Sequence, residues 1–135
     1  MTTAIQPPYG SGLAWLAQAG PLIAGFGAGL AYVDDRLSWL AWVALVPLGW
    51  AWSHGSRSTP LAAAFLGGII YHGMALSWLR SCYADGPEWF GPQAPAWLAI
   101  SIIGAAFFVL MCCYGQYLVR AVRLPATVAL PLAWL

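Results

Sequence analysis

The chain contains no lysine and carries very little charge of either sign. Only 7% of its 135 residues are charged, whereas a soluble domain carries about 25%. Arginines and acidic residues nearly cancel, and the net charge is +1. The sequence therefore offers no basic surface for phosphate backbones, and we exclude nucleic-acid binding.

Cysteine and histidine are too few and too scattered for a metal centre. Cys82, Cys112 and Cys113 form no CxxC pair, and no histidine stands at ligand spacing, so we predict neither a metal site nor a cofactor. Cys112 and Cys113 lie in an apolar run and are interpreted as small core residues. Cys82 lacks the nearby base and orienting group that a nucleophile requires.

Hydrophobic residues make up 61% of the chain, and the mean hydropathy of the chain is +0.74. Such a composition predicts an all-α integral membrane protein. We expect an antiparallel bundle of four transmembrane helices plus the start of a fifth. The spans are predicted at about 12–33, 37–52, 60–80, 94–119 and, incomplete, 125–135.

The fifth segment, 125–135, differs most from a typical transmembrane helix. It follows Arg120 and Arg123 and is too short to cross a bilayer, which takes about 20 residues. The sequence thus favours the opening part of a longer protein, with any catalytic domain absent from this chain.

Arginine placement predicts the orientation of the bundle. Arg57, Arg120 and Arg123 fall in the connections after segments two and four, while the other two connections are acidic on balance. By the positive-inside rule, the N-terminus and the loops of Arg57 and Arg120 should be cytoplasmic. The chain would then be a multi-pass protein of the plasma membrane.

Small residues predict where helices meet. Gly25 and Gly29 form a GxxxG pair, and Gly67 and Gly68 continue a small-residue pattern that begins at Ala63. The spacing around Gly25 is not GxGxxG and no strand precedes it, so a nucleotide loop is disfavoured. We predict that these four glycines pack against neighbouring helices.

His72 is the one ionisable side chain predicted well inside a span, and two interpretations stay open. An intramembrane ionisable residue is a functional candidate by default. The alternative, favoured because no acidic residue is embedded beside it, is a neutral imidazole hydrogen-bonded between helices.

The polar stretch 77–92 is the candidate lipid-binding region. Arg80 has the fork of donors that grips a phosphate, and we predict that it binds a phospholipid headgroup with Trp78 and Tyr83 beside it. The alternative, favoured because aromatic belts and snorkelling arginines are common, is an ordinary interfacial loop in which Arg80 pairs with Asp85 or Glu88.

Several apolar stretches resemble bacterial apolipoprotein N-acyltransferases. Residues 25–32 and 40–48 are similar to the first helical hairpin of that family. Residues 64–68 and 77–79 resemble its third helix, which ends in a tryptophan before a periplasmic loop. Residues 129–134 are similar to the opening of its fifth helix.

The resemblance implies an inner-membrane enzyme that moves an acyl chain from a phospholipid to the N-terminal cysteine of a lipoprotein. Its Glu-Lys-Cys triad lies in a nitrilase-like domain, and since this chain has no lysine, no catalytic residue is carried over. Two features depart from the family pattern. Arg80 closely follows the tryptophan, and residues 84–87 stand where a Gly-Gly pair is common.

The expected role is therefore to anchor such an enzyme and to form a groove that gives lipid access. Phospholipid and lipoprotein would be the partners of the full-length protein. Two other classes remain open. A small transporter would need a membrane-embedded carboxylate, and a non-catalytic assembly subunit would use its small-residue faces to bind other helices.

Overall fold

The computed structural model describes residues 14–54, 61–81 and 94–135, which form helices and contain no strand. The all-helical prediction is confirmed for these ranges. A single 3-10 turn, Asp35–Leu37, joins the first two helices. The helices are α1 (Ala14–Val33), α2 (Leu40–His54), α3 (Leu61–Ala75), α4 (Trp78–Ser81), α5 (Ala94–Arg120) and α6 (Ala126–Ala133).

Two of these helices are long and apolar enough to cross a membrane. The qualifying segments are Trp15–Val33 in α1, with 19 residues, and Ala94–Arg120, which is α5, with 27. Helices α2 and α3 have 15 residues each, or about 22 Å at the usual rise per residue, against a hydrocarbon core of about 30 Å. A bundle of four complete spans therefore stays a prediction.

The predicted third segment is interrupted. Helix α3 ends at Ala75, and the turn residues Leu76 and Ser77 separate it from α4. The Leu76 N–H still donates to the carbonyl four residues back, at 2.8 Å, but the Ser77 N–H donates to the carbonyl of Met74, at 3.1 Å. This tightened bond ends the α-helical ladder.

Helix α1 packs on both α2 and α3, while contact between α2 and α3 is at most slight among the described residues. Gly20 lies against Pro47, and Gly27 lies against Ala44. Residue numbers rise in α1 as they fall in α2, so these two helices are antiparallel. Helices α1 and α2, which are consecutive in the sequence, are therefore neighbours. Helices α2 and α3 are also consecutive, but α1 lies between them.

Glycines allow the closest contacts, which join α1, α3 and α5. A Cβ on Gly25 would collide with the backbone of Gly67, and a Cβ on Gly67 would collide with the carbonyl of Pro21. One residue along α3, a Cβ on Gly68 would lie 2.7 Å from the Cα of Ala105 in α5. Helix α3 therefore touches α1 on one side and α5 on another, backbone to backbone.

Gly29 makes the remaining glycine contact of α1 with α3. A Cβ there would lie 2.9 Å from the Sδ atom of Met74. Together with the Gly25–Gly67 contact, this pairing shows that residue numbers rise along both helices in the same direction. Helices α1 and α3 are therefore parallel.

A second junction joins the C-terminal ends of α2 and α5. The fully buried indole of Trp52 lies over Gly115, where a Cβ would overlap the ring. The Arg120 Nε donates to the Trp52 carbonyl at 3.1 Å. Since the last carbonyls of a helix lack intrahelical partners, Arg120 caps α2 from outside.

This junction assigns the helix ends to two sides of the molecule. The ends of α2 and α5 lie together, and the beginning of α1 joins them because Gly20 is near Ala51. The turn that holds Asp34 and Asp35 is at the other end of α1. Which of these sides is cytoplasmic stays a prediction.

We expect Gly67→Leu to destabilise the protein far more than Leu66→Ala. A leucine at position 67 must push α1 away from α3, and overpacking of this kind typically costs about 1–3 kcal/mol or more. Leu66 is exposed, and its truncation removes little packing, so we expect about 0.5 kcal/mol. Unfolding in detergent followed by circular dichroism measures both, and equal losses would contradict the close contact.

Candidate functional site

A groove of about 790 Å³ lies between α1, α2, α3 and α6. Small residues such as Ala28, Ala31 and Ala41 form part of its floor, and Trp42 and Trp134 are among the large residues that border it. The volume falls in the range of about 300–1,000 Å³ that is typical of small-molecule sites.

The polar groups of the groove are hydroxyls. They belong to Tyr32, Ser38, Tyr71 and Thr127, and the remaining described lining is apolar or indole. No acidic or basic side chain is among the described residues that line the groove. Such a site suits a neutral apolar chain with a few hydrogen-bonding positions, and it does not suit an inorganic ion.

A second cavity of about 350 Å³ lies between α3, α5 and α6. His72, Phe107 and Tyr114 line it, and so does Trp134, which also lines the groove. The Tyr71 ring meets the Trp134 ring edge to face, with centroids 6.2 Å apart. These two rings therefore stand between the two cavities.

His72 bonds within its own helix. Its Nδ1 lies 2.9 Å from the Gly68 carbonyl, and because a carbonyl only accepts, Nδ1 carries the proton. The ring packs flat on Gly104 of α5, where a Cβ would overlap it. The sequence interpretation of a hydrogen bond between helices is thus replaced by an intrahelical bond and an interhelical packing contact.

The residues predicted to bind a headgroup are only partly described. Trp78 is the first residue of α4, and its side chain is 55% exposed. Arg80 belongs to the same short helix. Tyr83 lies outside the described residues, as do Asp85 and Glu88, the alternative partners of Arg80, so the headgroup site stays a prediction.

The cysteines have no catalytic surroundings within the described ranges. Cys112 is fully buried in α5, and Cys113 is exposed on the same helix. No group of three or more metal-binding side chains occurs among the residues that the structure describes. Cys82 lies outside them.

Sequence reasoning did not select Tyr71, Thr127 or Trp134, the residues that shape the groove. Each helix here is apolar on nearly every side, so no amphipathic stripe identifies an inward face. The adjacency of Tyr71 to His72 was the signal available, because polar residues inside a span mark functional surfaces.

A family model described as the apolipoprotein N-acyltransferase N-terminal domain matches residues 24–135. The match includes most of the chain and all the groove residues named above. No curated protein and no solved structure matches this chain.

Proposed function

Because the chain belongs to the apolipoprotein N-acyltransferase N-terminal domain family, we propose that it is the multi-pass membrane region of an enzyme that transfers an acyl chain from a phospholipid to a lipoprotein. It anchors the enzyme in the bacterial inner membrane. Its groove admits one acyl chain of a phospholipid. The observation that carries this proposal is the apolar groove with hydroxyls as its polar groups.

The hydroxyls, rather than the apolar walls, give the groove its preference for the acyl donor. A chain that moves from bilayer to groove gains little hydrophobic free energy, because lipid tails are as apolar as leucine. Tyrosine, serine and threonine hydroxyls donate hydrogen bonds, and the ester carbonyls of a phospholipid accept them. Tyr32 on α1 and Tyr71 on α3 are among the residues that line the groove, which supports this role.

The headgroup site belongs to the same proposal. Trp78 begins α4 beyond the α3 end, on the side of the molecule that holds Asp34. Arg80 would grip the phosphate through its fork of donors, with Trp78 and Tyr83 flanking the headgroup. This side is the outer one in our orientation, with Arg57, Arg120 and Arg123 cytoplasmic.

The rival classes receive less support. A transporter would need an embedded carboxylate, yet the acidic residues of the described ranges, Asp34 and Asp35, lie at the exposed turn between α1 and α2. An assembly subunit would offer its small-residue faces to other proteins. Here Gly25 and Gly67 are occupied by each other within the chain.

The groove proposal is tested by filling the groove with a larger side chain. Ala41→Phe places a ring in the groove, whereas Val43→Phe places the same ring at an exposed position that is not among the lining residues. We expect Ala41→Phe to lower the phospholipid retained per protein by about tenfold, equivalent to about 1.4 kcal/mol. Native mass spectrometry of protein released from nanodiscs measures it, and equal retention by both variants would remove the groove from the mechanism.

The orientation is tested by cysteine labelling with a membrane-impermeant reagent. In a background with the three native cysteines replaced by alanine, we expect Gly86→Cys to react from outside and Ser56→Cys to react only after permeabilisation. The reason is the arginine excess in the loops of Arg57 and Arg120. The reverse pattern would invert the topology.

The 135-residue chain by itself should have no acyltransferase activity. Acyl transfer through a covalent intermediate needs an activated nucleophile, a base and oxyanion donors, and the chain has no lysine for the family's triad. Purified chain incubated with phospholipid and a diacylated lipopeptide should yield no triacylated product. Product that forms, and is lost on Cys82→Ala, would overturn this.

A further inference from the structure

The break between α3 and α4 leaves a backbone carbonyl without its usual donor. In a continuous helix the Ser77 N–H would donate to Gly73, four residues back. Here the Ser77 N–H donates to Met74 instead, at 3.1 Å. The Gly73 carbonyl is therefore left without its backbone donor, and because Gly73 is buried, an unsatisfied carbonyl there is costly.

Trp97 of α5 supplies the missing donor. Its indole Nε1 donates to the Gly73 carbonyl at 3.1 Å, a bond between residues 24 apart in the chain. The absence of a side chain at Gly73 lets the indole approach, since a Cβ there would lie only 3.2 Å from the Trp97 Cζ2 atom. A glycine at this position thus serves the contact with the ring.

The backbone of Trp97 also takes part in a hydrogen bond. The fully buried Ser101 donates its hydroxyl to the Trp97 carbonyl at 2.8 Å, one turn further along α5. Helix α4 also contacts α5. Helix α5 therefore touches both sides of the break.

A buried indole N–H does not always find an acceptor in this protein. The indole N–H of Trp52 is fully buried and has no hydrogen-bond partner among the described residues. The bond of Trp97 is therefore specific to its position at the break, and Trp52 offers a comparison within the same chain.

We propose that Trp97 is the positioning residue of the α3–α4 break. Its indole N–H takes the place of the Ser77 amide at the Gly73 carbonyl, so α5 rather than α3 determines where α4 begins. Trp78 and Arg80, on α4, then depend on Trp97 for their placement. This last step rests on the proposed function, in which α4 carries the phospholipid headgroup contacts.

The experiment removes the indole N–H and leaves the ring. Trp97→Phe is prepared in nanodiscs of phosphatidylethanolamine and phosphatidylglycerol, with Trp52→Phe as the matched control. A second pair carries 3-benzothienylalanine at position 97 or 52, which keeps the shape of tryptophan but has sulfur in place of N–H. Hydrogen–deuterium exchange of residues 72–81 and retained phospholipid are measured for each.

We expect the two changes at position 97 to speed exchange of the Leu76, Ser77 and Leu79 amides by about tenfold, as loss of a partner for a buried carbonyl implies. The changes at Trp52 should leave that segment unaltered. Trp97→His, which retains a ring N–H, should restore part of the protection. Unchanged exchange in the protein with 3-benzothienylalanine at position 97 would overturn the proposal. If Trp97→Phe does not fold, the exchange of this analogue alone tests the proposal.

The lipid measurement separates this inference from the proposed function. Faster exchange together with lower phospholipid retention supports both. Faster exchange with normal retention supports the role of Trp97 at the break and contradicts headgroup binding by α4.

Discussion

Direct contact between the backbones of α1 and α3 is the constraint on which the rest of the structure depends. In a bilayer, apolar side chains gain little by leaving lipid, so helices associate through close packing and a few hydrogen bonds. Gly25 and Gly67 permit that approach. Because Gly68, the next residue of α3, contacts Ala105 of α5, the same short segment also sets the place of the longest helix. Helices α1 and α3, whose spacing the Gly25–Gly67 contact sets, are two of the four helices that bound the groove.

Two side-chain hydrogen bonds between helices occur where a helix ends or breaks. Arg120 satisfies a carbonyl at the end of α2, and Trp97 satisfies the one freed at Gly73. Both donors come from α5. This helix therefore supplies hydrogen bonds to two shorter neighbours at carbonyls that their own backbone ladders leave without a donor.

The sequence allowed the all-helical fold and the membrane character to be predicted, because composition alone requires them. It did not predict the break after Ala75, since Leu76 and Ser77 are neither glycine nor proline and the hydrophobic pattern continues through them. The break is stabilised by Trp97, which is distant in sequence, and local patterns carry no record of such a donor. Trp78 and Arg80 were selected because they begin the most polar stretch of the sequence, whereas Trp134 lies in an apolar run that gives no sign of its place in the groove.

The bond between Arg120 and the Trp52 carbonyl links two properties that protein engineers usually adjust separately. The charge of Arg120 is one of the three that predict a cytoplasmic location for the connections after α2 and α5, and its Nε also donates to a carbonyl at the end of α2. Replacing Arg120 to invert the orientation of the protein in the membrane would also remove the hydrogen bond to the Trp52 carbonyl at the end of α2. In the orientation predicted from the arginines, Arg120 contributes both to insertion direction and to the packing of α5 on α2, so a substitution there affects both.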